Sequence, residues 1–256
     1  MPMHGTKVGL AELDRLDALA ELLGRMKFEM IAHAVEATGL ALRGGFAPVP
    51  EDQLPPIPGK GPAQTVLMLG VVGPGAWTAF TGSPESGTRK NPLDTWTRRV
   101  VTALANDLGA LPLFPFEGPP YWPFQRWAMR AEPVAPSPIG ILIHPDYGLW
   151  HAYRAALLFA ERIDMPAREV RARPCDTCTN RPCLSACPVG AFTESAYHVE
   201  SCIAHISSPA GVMCMGEGCR ARDACPVGRA FRYPAEQIRF HMEAFRRAYQ
   251  RRPAGG

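Results

Sequence analysis

The sequence has 256 residues, 46% of them hydrophobic and 20% charged, with a formal net charge of +3. That composition fits a globular protein of one or two domains and excludes a disordered chain. The longest apolar stretch, Val66 to Val72 with Gly70 inside it, falls far short of the ~18 residues of a membrane span. Met1 to Arg15 holds no apolar core with a small-residue cleavage site, which predicts a cytoplasmic protein in which cysteines serve chemistry rather than disulfides.

From Leu10 to Thr38 the apolar positions Leu13, Leu16, Ala20, Leu23, Phe28, Ile31 and Val35 keep helical spacing, predicting one long helix or two that stop at Gly39. Ala47 to Pro62 carries six prolines and reads as an extended surface connection. Thr65 to Val72 fits a buried central strand, ended by Gly73-Pro74-Gly75. Asn91 as N-cap, Pro92 at the first helical position and Leu93, Trp96, Val100, Leu104 and Leu108 on one face predict a helix that ends at Gly109. Leu111 to Pro138 has eight prolines and six aromatic residues. It reads as a long loop whose rings either pack over the core or a dimer partner, or line a pocket. Ile139 to Ile143 reads as a strand entering His144-Pro145-Asp146-Tyr147-Gly148. His151 to Ile163 suits helix by composition and strand by its Tyr153, Leu157 and Phe159. Pro234 opens a final helix with Ile238, Met242, Phe245 and Tyr249 along one face.

All eight cysteines lie between residues 175 and 225, as Cys175-x2-Cys178-x4-Cys183-x3-Cys187-Pro188 and Cys202-x11-Cys214-x4-Cys219-x5-Cys225-Pro226. Both sets end in the same pentapeptide, Ala186-Cys187-Pro188-Val189-Gly190 and Ala224-Cys225-Pro226-Val227-Gly228. This repeat resembles a two-cluster bacterial ferredoxin, in which three closely spaced thiolates wrap one cubane and the Cys before Pro is carried on a helix to the other cluster. The resemblance implies two 4Fe-4S clusters, one on Cys175, Cys178, Cys183 and Cys225, the other on Cys202, Cys214, Cys219 and Cys187. Four-cysteine zinc sites are the alternative that thiolates alone also suit. From Arg171 onward 12 Arg face 7 acidic residues. Clusters that each add a charge of about −2 cancel that surplus, so the charge does not argue for nucleic acid.

Ile139-Gly140-Ile141-Leu142-Ile143-His144-Pro145-Asp146-Tyr147-Gly148-Leu149-Trp150 resembles the Leu-Ile-His-Pro-Glu-Tyr-Gly-Ser-Trp stretch of epoxyqueuosine reductases, which also precedes their cluster cysteines. The His-Pro-aromatic-Gly-x-Trp pattern is shared with cobalamin-processing proteins of the cblC family. The resemblance implies an α+β architecture: a nitroreductase-like cofactor-binding domain over residues 1–168, then a dicluster ferredoxin domain with a C-terminal helix over 169–256. It further implies a corrinoid in a broad cavity between the His144 to Trp150 segment and the aromatic loop, lined by His144, Tyr147, Gly148 and Trp150. From the residues alone, His144 equally suits a turn histidine bonded to backbone, and Tyr147 and Trp150 suit packing. The family's catalytic aspartate has no aspartate counterpart. Glu117 in Phe116-Glu117-Gly118-Pro119-Pro120 is the nearest carboxylate and the candidate proton donor. Ser137-Pro138-Ile139-Gly140 stands where the family has Gly-Lys-Asn.

The expected activity is an iron–sulfur oxidoreductase passing electrons to a cofactor, cobalamin ahead of flavin, and onward to an unidentified small molecule. A flavodoxin or ferredoxin is the expected electron donor, with nucleic acid not expected as a partner and no membrane. The rival expectation is an electron carrier whose N-terminal domain docks a partner and holds no corrinoid.

Overall fold

The computed structural model describes residues 10–88 and 90–250, with side chains from residue 22 onward. Helix α1 (Leu10–Glu36) is a single helix. Its core face is confined to the second half, where Ile31 and Val35 are fully buried and Phe28 packs beside them. Leu23 is exposed, contrary to the expected stripe, because its turn lies beyond the part of the helix that covers the sheet. Leu13, Leu16 and Ala20 fall outside the described side chains.

Strands β1 (Ala41–Phe46) and β2 (Thr65–Val72) are joined by the proline-rich connection, which buries Asp52 and Ile57. Helix α2 (Trp77–Thr81) and helix α3 (Pro92–Leu108) follow. Asn91 precedes α3 as expected, but its side chain makes no capping bond; its carbonyl accepts the Thr95 N–H instead. The buried positions of α3 are Trp96, Thr97, Val101, Leu104 and Ala105, and the expected Leu93, Val100 and Leu108 pack against the same core while partly buried. After α3 come β3 (Leu111–Leu113) and α4 (Phe124–Ala131), then β4 (Ala135–Pro136) paired with β5 (Leu142–Ile143), and finally β6 (His151–Phe159).

The main sheet is antiparallel throughout, in the order β1-β2-β6-β3. Both faces are covered, so β2 reads as an uninterrupted apolar run rather than an alternation. Leu67 and Leu69 meet α1 and α3 on one face, and Val66 and Met68 meet α4 on the other. β6 is a strand despite its helix-prone composition, because β2 and β3 supply hydrogen-bonding partners along both of its edges.

The proline-rich stretch is not a bare loop. Pro123 stands before α4, where its missing N–H costs nothing. Phe124 and Trp127 are buried on one sheet face and Phe114 on the other, while Tyr121 is exposed. The packing alternative therefore describes these rings. Ile139 to Ile141 form a turn, not a strand. Gly140 N–H donates to Ser137 O at 3.0 Å and Ser137 N–H to Ile141 O at 3.0 Å, leaving two residues for β5.

Beyond β6 the chain runs through a single 3-10 turn (Pro174–Asp176) to α5 (Pro182–Ser185), followed by α6 (Val199–Ile206), α7 (Val212–Glu217), α8 (Arg220–Asp223) and α9 (Ala235–Gln250). Helix α9 turns back onto the first part, where Phe240 packs against Trp77 and Phe80 at 5.4 Å each. No described helix is long and apolar enough to cross a membrane.

Candidate functional site

The eight cysteines are all free thiols, and the fold groups them across, not along, the sequence. Cys175, Cys178, Cys183 and Cys225 line one cavity of 220 Å³, whose N-terminal wall is Ile139, Ile143 and Leu149. Burial pushes the Cys175 thiol up, reinforced by Cys225, Cys183 and Cys178; burial likewise raises Cys183, with Cys225 and Cys178 adding to it. In the second set burial raises Cys202, with Cys187 beside it. The same cause raises Cys214 and Cys219, each within reach of Cys187 and Cys202. Clustered thiols raise one another because each thiolate repels the next, and a bound cation reverses that sign. Among the described residues no three His, Cys, Asp or Glu converge on a single-ion site.

The Cys-Pro pairs do not open helices. Cys187-Pro188 and Cys225-Pro226 each lead into a turn that ends on a glycine with positive φ, Gly190 at 58° and Gly228 at 71°. The chain reverses there, which a helix would not permit. Gly228 also fixes the junction between the two parts. A Cβ on Gly228 would lie 2.2 Å from the Tyr147 carbonyl, and one on Gly148 2.0 Å from the Val227 carbonyl oxygen. The two backbones touch because neither residue has a side chain.

This contact explains the placement of the segment that carries the resemblance. His144 Nδ1 accepts the N–H of Asp146 at 3.0 Å and of Tyr147 at 3.3 Å, so it is a turn histidine. Tyr147 stacks on His144 at 4.1 Å and meets Phe231 at 5.0 Å. Trp150 is buried between Tyr233 and the Arg222 guanidinium, 4.3 Å above its ring. Arg222 also donates to Leu149 O at 2.6 and 3.1 Å. Glu117 is ion-paired with Arg98, whose guanidinium stacks on Phe114 and Phe116. The carboxylate that the fold brings to His144 is Glu132, at 3.6 Å.

Glu132 belongs to a buried polar cluster that sequence reasoning missed. Arg43, only 2% exposed, holds Glu132 at 2.6 Å, donates to Val71 O at 3.1 Å and reaches His151 Nδ1 at 3.3 Å. His151 Nε2 therefore carries the proton and donates to Leu142 O at 3.1 Å. The Tyr153 hydroxyl donates to Glu132. The sheet is shaped around Arg43: bulges fall between Leu42 and Gly45 and between Leu69 and Gly70. A Cβ on Gly70 would sit 3.2 Å from Arg43 Cγ and 2.3 Å from Ala152 O. Burial raises the Glu132 carboxyl, against the pull of Arg43. Burial and the Arg43 charge lower His151 to about 3 and His144 to about 4, so both rings are neutral. The only sequence signals were Arg43 inside an apolar strand and Glu132 beside a proline.

Two cavities flank this cluster. One of 330 Å³ is lined by His151, Tyr153, Arg222, Tyr233 and His241, among others, and so lies between the two parts; one of 270 Å³ is lined by Glu132, His144 and Tyr147 among others. From the Leu111 to Trp127 stretch the first is lined by Gln125 and not by its rings. At 330 Å³ the junction cavity is at the small end of ligand pockets, which run from about 300 to 1,000 Å³ for drug-sized molecules.

No protein-family model matches the sequence, and neither does any curated protein. Among solved structures, the C. elegans B12-trafficking protein CblC matches with a TM-score of 0.50 at 16% identity, over 87% of this chain and 96% of that one. An epoxyqueuosine reductase with a tRNA-Tyr stem loop gives 0.49 at 15% identity over 83% of this chain and 68% of that one. A selenomethionine-labelled epoxyqueuosine reductase gives 0.44 at 14% identity over 69% of this chain, which spans about half, 52%, of that protein. At these identities the likeness is one of fold, and the fold this chain shares is that of the B12-trafficking protein.

Proposed function

We propose that this protein is an iron–sulfur oxidoreductase that carries electrons through two 4Fe-4S clusters to an acceptor at the junction of its two parts. The observation that carries this reading is the grouping of thiols: Cys225, distant in sequence, completes the cavity of Cys175, Cys178 and Cys183. Cys187 is the thiol sensed by Cys202, Cys214 and Cys219. The donor set fits the group, since four thiolates per site are the ligands of a cubane, and Ser137, whose buried hydroxyl has no partner, lines the first cavity. When bound, the clusters supply one-electron transfer at low potential.

The direction of flow is supported by the chain's own residues. The first set faces Ile139, Ile143 and Leu149 of the N-terminal part, so electrons leave from there. Around the second set Val189, Val212 and Met213 are exposed, an apolar surface suited to docking a flavodoxin- or ferredoxin-type donor. At the junction, Tyr153 and the neutral His151 line the acceptor cavity, and the Tyr153 hydroxyl donates to the Glu132 carboxylate that pairs with Arg43.

Cobalamin as the acceptor is supported by the shared fold and by the His-Pro-aromatic-Gly-x-Trp pattern. The rival, an electron carrier without a corrinoid, is supported by the packing of Tyr147 and Trp150 and by the size of the junction cavity. Anaerobically purified protein should contain about eight iron and eight sulfide per chain. In Cys187→Ser the cluster of the second set should be lost or altered in its EPR signal, and in Cys225→Ser that of the first. Stoichiometric zinc without iron would overturn the cluster reading. A spectral shift of added hydroxocobalamin to the base-off form would establish the corrinoid, and an unchanged spectrum at micromolar concentration would establish the carrier.

A further inference from the structure

We propose that the junction cavity binds a small organic acid, its single carboxylate held by Arg222, Tyr233 and His241 and its apolar body resting on Ile141, Leu142 and Ala152. The inference rests on the placing of the acceptor site at the junction and names the class of molecule that the site takes.

The cavity of 330 Å³ has no carboxylate among its lining residues. Arg222 is partly buried and held in place: Nε and Nη2 donate to Leu149 O at 3.1 and 2.6 Å, and the guanidinium lies 4.3 Å from the Trp150 ring and 4.7 Å from that of Tyr233. Those contacts involve neutral groups and leave Nη1 without a partner. Among the described residues no carboxylate pairs with Arg222, since the neighbouring Asp223 is taken by Arg232. The other arginines near the cavity are matched, Arg43 by Glu132 and Arg154 by Asp94. The cavity therefore faces one uncompensated positive charge, and a partly buried cation of that kind is stabilised by a single counter-charge. One charge selects a monoanion over a phosphate dianion.

Two neutral donors stand beside it. The Tyr233 ring is buried and meets Trp150 edge-on at 5.3 Å, yet its hydroxyl has no hydrogen-bond partner among the described residues and is not sealed from the surface. A buried tyrosine ordinarily finds a partner for its O–H. The His241 ring, 5.5 Å from that of Tyr233, is likewise without a hydrogen bond among the described residues. Burial, together with the charges of Arg222 and Arg154, lowers His241 to about 4, so its ring is neutral and offers one N–H.

The opposite wall differs. There the polar groups are already engaged, His151 Nε2 with Leu142 O and the Tyr153 hydroxyl with Glu132. What remains on that side is Ile141, Leu142 and Ala152, a surface for hydrocarbon. The cavity is thus polarised, with all its unpartnered donors on the C-terminal part and its apolar floor on the N-terminal part. The carboxylate end falls on the stretch between Cys219 and Cys225, which carries Arg222 and joins one thiol set to the other.

The test is calorimetric titration of full-length, anaerobically purified protein with benzoate, benzamide and inorganic phosphate, with iron measured on every sample. Benzoate should bind one to one, and benzamide, of the same shape without the charge, at least about ten-fold more weakly, as should phosphate. Arg222→Gln should remove the preference for benzoate over benzamide. Tyr233→Phe deletes a hydroxyl that bonds nothing in the protein, so it should fold normally and bind benzoate about three- to ten-fold more weakly; it decides the matter if the arginine variant does not fold. Iron-replete protein that gives no heat with millimolar benzoate, or binds benzoate and benzamide alike, overturns the inference and leaves the cluster reading standing. Phosphate bound more tightly than benzoate overturns the monoanion class, and benzoate binding unchanged in both variants overturns the site. Selective benzoate binding by protein that holds no iron overturns the cluster reading and leaves the acid site in place.

Discussion

Replacing Glu132 with Gln removes the one carboxylate among the described residues that is bonded to Arg43 while keeping the shape of the side chain. Arg43 is 2% exposed and the Glu132 side chain 11%, so the guanidinium left behind has neither water nor a counter-charge. Its remaining partners are the neutral acceptors Val71 O and His151 Nδ1. Breaking one side of a buried pair costs about 3–5 kcal/mol, because the surviving charge keeps its desolvation penalty without its compensation. For a chain of this size that is a fall in melting temperature of roughly 6–20 °C. The assay is anaerobic denaturation followed by tryptophan fluorescence, with cluster absorbance recorded in parallel. The double variant Arg43→Met with Glu132→Leu removes both charges and should recover most of the loss, since an apolar pair of similar volume is often neutral or better. A loss below about 1 kcal/mol for Glu132→Gln would refute the reasoning, as it would mean that the pair is solvated in the native protein.

Two further outcomes follow from the same region. His144, His151 and His241 are held near pKa values of about 4, 3 and 4, chiefly by burial, below the unfolded value of about 6.5. The unfolded chain therefore binds more protons, and the stability is present above about pH 6.5 and lost as pH falls toward 4 and then 3, at up to ~1.4 kcal/mol per pH unit for each ring. Glu132, raised by burial, works in the opposite sense and offsets part of the loss. His151→Gln should shallow the slope of stability against pH between about 6.5 and 5, and an unchanged slope would show that the ring titrates freely. Gly148→Ala places a methyl 2.0 Å from Val227 O, so the two parts must move apart. We expect accelerated limited proteolysis between Phe159 and Cys175 at full iron content, and native-like resistance would contradict the junction as drawn.

Local chemistry was enough to read some of this molecule. The apolar run of β2 and the proline and glycine that bracket α3 are each decided within a few residues, by hydrophobic continuity or backbone restriction. The fate of the aromatic stretch was not, because Phe114, Phe124 and Trp127 suit a core and a ligand pocket equally until the sheet places a face against them. β6 illustrates the same limit: its Ala, Leu and Arg composition favours a helix, and only the open edges of β2 and β3 make a strand the lower-energy state. His144 and Trp150 were recognisable as a motif, but whether they line a cavity depended on the approach of Val227 and Gly228, some 80 residues away in the chain. The Arg43–Glu132–Tyr153 cluster left almost no trace in the sequence. Its charges come from β1, the turn after α4 and β6, and burial, a property of the assembled layers, is what turns three ordinary polar residues into a coupled site.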